Sequence, residues 1–274
     1  MRKITAALAL ASLGSFVASQ ASAASNSIPY NDLPGTNFNF GGSPTFVDPI
    51  ANPSGKMQET NDDGSATALY GAPAVSGDSL LFTPANFLAQ AAGAGGLDTT
   101  GAQFQVVMTA TALGATIDTL NISEFGDTTL FGAGTGATAS YVGMSGLLTI
   151  TEANGAPIAP VVICFPGPCT NQSAVTYSPA QFFLLPGDFG TKNWSASVSI
   201  DVASVVANAT KAILSLDNDL IASSEAGTTS KIQKKLVDGP SIIVEVIPEP
   251  GTFALLSAGL LALTLRARGR RTQV

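Results

Sequence analysis

From Phe104 onward, apolar residues recur at every second position. Phe104, Val106, Met108 and Ala110 alternate with Gln105, Val107 and Thr109. The pattern is clearest from Trp194 to Val202, where Trp194, Ala196, Val198, Ile200 and Val202 share one parity and Ser195, Ser197, Ser199 and Asp201 the other. A period of two sends one face of an extended chain into a core and leaves a hydroxyl-lined face outside. The stretches 117–122, 146–151, 161–164, 212–216 and 241–246 read the same way, and turn-forming residues separate them: Gly126-Asp127, Asn154-Gly155, Pro186-Gly187, Asp217-Asn218 and Asp238-Gly239. The spacing predicts an all-β fold, an antiparallel β-sandwich of jelly-roll-like type, over residues 67–246. One short helix is expected from Pro84 to Gln90, with Thr83 as its cap and Pro84 in its first turn. Residues 24–66 are rich in Asn, Pro, Gly and Ser. They read as an irregular segment with a short edge strand at Asn37–Phe40 and loop from Asp48 to Gly64.

The alternation fails at both ends, for different reasons. Met1-Arg2-Lys3 precedes a largely apolar run from Ile4 to Val17 and then Ala21-Ser22-Ala23. A basic start, an apolar centre and an Ala-x-Ala site make residues 1–23 a secretory signal peptide, with Ala21 and Ala23 as the small residues of the cleavage site. At the other end, residues 247–274 hold Pro248-Glu249-Pro250, an uncharged stretch over 252–265, and then Arg266, Arg268, Arg270 and Arg271. As a helix, Phe253 to Leu265 would extend roughly 20 Å, short of the ~30 Å hydrocarbon core. The arginines supply retention on the cytoplasmic side by reaching the headgroups. Both ends therefore predict one topology, with the middle of the chain outside.

A proline-glutamate-proline triplet, a short apolar helix and a terminal arginine cluster, in a chain with a signal peptide, resemble the PEP-CTERM sorting domain. The resemblance covers about thirty residues. It implies processing by exosortase, a membrane-embedded cysteine peptidase of Gram-negative bacteria that make exopolysaccharide. Pro248, Glu249 and Pro250 would be its recognition motif. The inner membrane would then be a transient partner, and the cell surface or extracellular matrix the destination.

Charge sharpens this picture. Outside the two ends the basic residues are six lysines against nineteen acids, a net of −13, and no arginine remains. Such a surface repels phosphate backbones and lacks a guanidinium to read them, so nucleic acid is not an expected partner. The chain has no histidine, which excludes Ser-His-Asp and Cys-His catalysis and histidine-ligated metals.

Few constellations can carry chemistry. Cys164 and Cys169 flank Phe165-Pro166-Gly167-Pro168, a reversal that favours a disulfide in an oxidising compartment. Gly132-Ala133-Gly134-Thr135-Gly136 lacks a P-loop lysine and reads as a hairpin connection. Asp62-Asp63 and Asp217-Asn218-Asp219 could offer calcium ligands, but turn-forming Asp and Asn account for both. The pairs Glu124 with Asp127 and Asp188 with Asp201 have no spacing that marks a glycosidase. Lys231, Lys234 and Lys235 read as the solvated face of an edge strand. No catalytic residue, metal or cofactor is expected. The expectation is a non-enzymatic surface protein of exopolysaccharide or biofilm matrix. Its alternatives are a secreted carboxylate-based polysaccharide hydrolase and a glycan-binding adhesin module.

Overall fold

The computed structural model describes residues 27–41, 57–62, 67–166, 174–177, 181–235 and 239–248. Seventeen strands follow in order among them: β1 (Ser27–Pro29), β2 (Leu33–Pro34), β3 (Phe38–Phe40), β4 (Gln58–Asn61), β5 (Ala74–Ser76), β6 (Ser79–Phe82), β7 (Leu88–Ala92), β8 (Gly96–Ala110), β9 (Thr119–Phe131), β10 (Ala139–Ala153), β11 (Ala156–Phe165), β12 (Val175–Tyr177), β13 (Gln181–Leu184), β14 (Gly190–Asp201), β15 (Ala209–Ser224), β16 (Thr229–Gln233) and β17 (Ile242–Ile247). The protein is all-β, with two antiparallel sheets. The nine-stranded sheet runs β1-β4-β8-β15-β10-β11, with β3 also on β8, β2 on β3, and β13 also on β10. The eight-stranded sheet runs β12-β14-β9-β17-β6-β5, with β16 between β9 and β7.

The alternation in the sequence is what builds the core. On β14, Trp194, Ala196, Val198 and Ile200 are buried while Ser195, Ser197 and Asp201 are exposed. On β9 the inward set is Leu120, Ile122, Glu124, Gly126, Thr128 and Leu130. These residues and their counterparts on β8, β10 and β15 form one continuous apolar cluster shared by both sheets. Each fully buried Leu, Ile or Phe contributes about 1.5–3 kcal/mol. Tyr70, Phe82, Phe87 and Phe104 pack edge-on or tilted within it, with ring centroids 4.8–5.7 Å apart.

Several local expectations are corrected. The predicted helix at Pro84–Gln90 does not form. The chain bends at Ala85-Asn86 and then enters β7, where Ala89 and Ala91 point inward and Gln90 and Ala92 outward. Pairing of β7 with β16, from Leu88 opposite Gln233 to Ala92 opposite Thr229, outweighs a weak cap on a seven-residue helix. Gly126-Asp127 is not a turn but the middle of β9, and Gly126 lies opposite Trp194. A β-carbon at Gly126 would collide with the Trp194 indole and the Gln233 carbonyl, so glycine here makes room rather than a bend. Asp217-Asn218 is likewise mid-strand, in β15. The composition-based loop at 48–64 contributes β4, which pairs with β8 from Gln58 opposite Gln105 to Asn61 opposite Ala102. Gly132–Gly136 joins β9 to β10, which belong to different sheets, so it is a crossover rather than a hairpin.

Other expectations hold. Asn154 (φ 51°) and Gly155 (φ 73°) turn β10 into β11 as a two-residue hairpin loop. Asn37–Phe40 contains β3, though with β2 on one side and β8 on the other it is not the expected edge strand. The expected signal peptide, the apolar stretch at 252–265 and the arginine cluster lie outside the described residues. Among the described residues no helix is long and apolar enough to cross a membrane.

Candidate functional site

Three strands bring polar groups to one point in the core. On β15, parity turns Leu216, Asn218 and Leu220 inward and Asp217 and Asp219 outward. On β9 the same rule places Glu124 between inward Ile122 and Gly126. Just past β16, the Lys234 N–H donates to the Phe87 carbonyl at 2.9 Å, and its side chain runs into the sandwich. Lys234 Nζ donates to Glu124 Oε2 and, at 2.8 Å, to Asn218 Oδ1. Asn218 Nδ2 donates to the Tyr70 hydroxyl at 2.6 Å. That hydroxyl lies 3.3 Å from the Ala102 carbonyl and 3.2 Å from the Leu216 carbonyl, either of which can accept its proton.

All four side chains are cut off from solvent: Glu124, Asn218 and Tyr70 are 0% exposed and Lys234 1%. The Phe87 and Trp194 rings flank the ammonium at 5.2 and 5.5 Å. Burial pushes the Lys234 amine below the ordinary lysine range, while Glu124 and Asp219 pull the other way. Burial also raises the Tyr70 phenol, with Glu124 adding to the effect. Desolvating an ion pair is expensive, and losing one partner costs more still. Among the described residues, Glu124 Oε1 and Trp194 Nε1 make no hydrogen bond.

On the opposite face of β15, Asp217 and Asp219 meet Asp62. Carboxylate oxygens of the three lie within 4.8 Å of one another. Asp62 N–H donates to the Gly101 carbonyl at 3.1 Å, and Gly101 sits opposite Asp219 in the ladder. A β-carbon at Gly101 would strike Asp62 Oδ2 and come 2.8 Å from Asp219 Oδ1, so the glycine lets the acids approach. Asp217 is pushed up from 3.8 to about 7 by burial, then by Asp219 and Asp62. Asp219 is raised by burial and by Asp62, with Lys234 opposing. Burial and Asp219 raise the nearby Tyr141 phenol. Three such oxygens are ligands of the kind a hard divalent cation takes. The sequence suggested each acidic segment separately and explained both as turns; the fold brings them together. Asp63 lies outside the described residues.

The lysine expectation holds for Lys235, which is exposed, and is corrected for the other two. Lys234 is buried and ion-paired rather than solvated, because it continues the inward parity of Ser230 and Ile232 one residue past β16. Lys231 sits in β16 between two partner strands, not on an edge. The suggested acid pairs do not converge. Glu124 faces the core while Asp127 has the opposite parity and accepts from Gln233 Nε2 at 2.9 and 3.1 Å. Asp188 and Asp201 lie at opposite ends of β14. Asp188 holds Lys192 at 3.1 Å, and Asp201 caps the Ser204 N–H at 3.1 Å. A surface depression between Thr109–Thr116 and Asn154, Asn208 and Thr210 contains one carboxylate, Glu152, already 3.2 Å from Lys211.

Cys164 lies on β11 opposite Leu147 and is not a free thiol, while Cys169 is outside the described residues. Pro248 immediately follows β17. Glu249, Pro250 and Arg266, Arg268, Arg270 and Arg271 are outside the described residues, as are Ala21 and Ala23. The Lys234–Asn218–Glu124 contact is not among the sequence expectations. Its signal was present: strict parity puts Glu124 in line with Leu120 and Ile122, and Asn218 in line with Leu216 and Leu220.

The domain is thus a two-sheet, all-β body whose last central strand runs directly into the C-terminal tail. That tail carries the PEP-CTERM protein-sorting motif, whose family matches residues 246–271. Such a motif implies sorting by exosortase and an extracellular or surface destination. No curated protein matches the chain in sequence. Among solved structures, the infectious bursal disease virus VP2 subviral particle matches at 13% identity over 88% of this chain and 72% of that one. Its TM-score of 0.12 carries no argument.

Proposed function

We propose that this protein is a non-enzymatic structural component of the surface or extracellular matrix of a Gram-negative bacterium, delivered by exosortase into exopolysaccharide or biofilm material. The observation that carries the reading is the position of the sorting motif. It begins at Val246, inside β17, so no spacer separates the folded body from the tail. Strand β17 lies between β9 and β6. The motif therefore starts within a strand of the folded body. Signal cleavage after Ala23 and membrane retention by Arg266, Arg268, Arg270 and Arg271 belong to the same reading. So does a Cys164–Cys169 disulfide in the oxidising compartment.

Successive strands β8, β9 and β10 alternate between the sheets, as do β13, β14, β15 and β16, which supports a jelly-roll-related connectivity. The Ser- and Thr-rich outer face of β14 suits hydrogen bonding to hydrated polysaccharide. The acid pairs suggested by sequence point apart, which favours a matrix role over carboxylate-pair hydrolysis. Mass spectrometry of the surface-exposed protein tests the route. The expected mature chain starts at Ala24 and ends near Pro248–Pro250. Surface protein that retains Arg271 would overturn it.

A further inference from the structure

We propose that Lys234 and Asn218 become joined by an intramolecular isopeptide bond across the sandwich, with Glu124 carrying the protons. The nucleophile and electrophile are already in contact. Lys234 Nζ lies 2.8 Å from Asn218 Oδ1, and with a C=O bond of about 1.23 Å the amide carbon is no more than about 4 Å from the nitrogen. Tyr70 holds Nδ2 at 2.6 Å, which fixes the amide so that its oxygen, not its nitrogen, meets the lysine. Glu124 Oε2 touches the same Nζ, and its second oxygen has no other hydrogen-bond partner among the described residues. Water is excluded, so hydrolysis of the amide does not compete.

The reaction balances with these groups alone. The ion pair first passes a proton from Lys234 to Glu124, leaving an amine and a carboxylic acid. Burial lowers the proton affinity of the Lys234 amine, which favours its neutral, nucleophilic form. The amine lone pair then forms the Nζ–Cγ bond while the C=O electrons move to Oδ1, which the protonated Glu124 stabilises by hydrogen bonding. Glu124 relays one proton from Nζ to Nδ2. The Cγ–Nδ2 bond breaks and ammonia leaves. The products are a secondary amide, one ammonia, and Glu124 in its acid form. No oxidant, metal or cofactor takes part.

The arrangement is what such a step needs and more than an ion pair requires. A buried Lys–Glu pair gains little over apolar residues of the same volume. Here a third group, an oriented carboxamide, occupies the lysine's second donor site. The bond also removes the buried charge, since the amide N–H can remain hydrogen-bonded to Glu124. It would link β15 of one sheet to the end of β16 in the other, across a sequence separation of 16 residues. The inference does not depend on the sorting route.

Tryptic digestion of the folded full chain tests it. The expected product is a branched peptide, 212–231 joined through Asn218 to 232–235, lighter than its two linear parts by one ammonia. Recovery of 212–231 unmodified, with cleavage after Lys234, would overturn the bond. Glu124→Gln keeps the shape but cannot relay the proton, and it is expected to yield the linear peptides. A branched peptide from Glu124→Gln at wild-type yield would overturn the role given to Glu124.

Discussion

Replacing Asp217 with asparagine should stabilise the protein above neutral pH and leave it unchanged in acid. In the folded state the Asp217 carboxyl is held at about 7, against an ordinary value of 3.8, because β15 buries it beside Asp219 and Asp62. The folded state therefore binds more protons than the unfolded state between those two values. Stability is full below about pH 4, falls as pH rises through 7, and is lowest above it. Taken in full, the shift corresponds to about 4 kcal/mol at 1.36 kcal/mol per pH unit. The group keeps part of its solvent contact, and screening trims this to about 2–4 kcal/mol. At 2–4 °C per kcal/mol for a domain of this size, the wild type should lose about 5–15 °C in Tm between pH 4.5 and 8.5. Asp217→Asn removes the ionisation and spares Asp219 a like charge, so its Tm should fall far less over the same range. Thermal unfolding followed by circular dichroism across that range makes the comparison. A chelator is included, because a divalent cation held by three carboxylates would keep them ionised and cancel the slope. Parallel Tm profiles for wild type and Asp217→Asn would refute the burial and like-charge argument.

Two further outcomes follow from the packing. Gly126→Ala places a methyl group against the Trp194 indole and the Gln233 carbonyl; it should cost about 1–3 kcal/mol by denaturant unfolding and shift tryptophan emission. A chain ending after Pro248 retains β17 and should match the full chain in Tm, whereas one ending at Gly239 exposes the facing edges of β9 and β6 and should aggregate on size-exclusion chromatography.

Parity made the architecture legible. The period of two along 104–110 and 194–202 located long strands in both sheets, and Asn154-Gly155 marked a true hairpin. Parity failed where a turn residue had another purpose. Gly126 looks like a break in sequence, yet it is a mid-strand gap filled by Trp194, a residue sixty-eight positions away. Asp217 and Asn218 favour turns in isolation, yet pairing with β8 on one side and β10 on the other holds them extended. Long-range pairing outweighs local preference because β-propensity is largely a matter of neighbours. The same reason hid the site. Asp62 and Asp219 stand far apart in the chain, and only the β4–β8–β15 order makes them adjacent. Lys234 shares the inward parity of Ser230 and Ile232, but its charge reads as solvated until Glu124 on β9 and Asn218 on β15 are placed beside it.

The two faces of β15 are electrically joined. Asp219 outside raises the proton affinity of Lys234 inside, and the Lys234 ammonium in turn holds the Asp219 carboxyl down against burial and Asp62. While Asp219 is ionised it therefore favours the ammonium, the unreactive form of the lysine. Protonating Asp219 would remove that pull and shift the balance toward the amine, with Glu124 still opposing. Conversion of Lys234 to an amide removes that ammonium for good, so the Asp219 carboxyl must climb once the bond forms. The outer acid cluster then carries three carboxyl groups with no cation opposite them. Its stability loss between acid and neutral pH must be steeper in linked than in unlinked protein. The pH profile of the surface thus reports the covalent state of the core, through one strand whose successive side chains point to opposite sides.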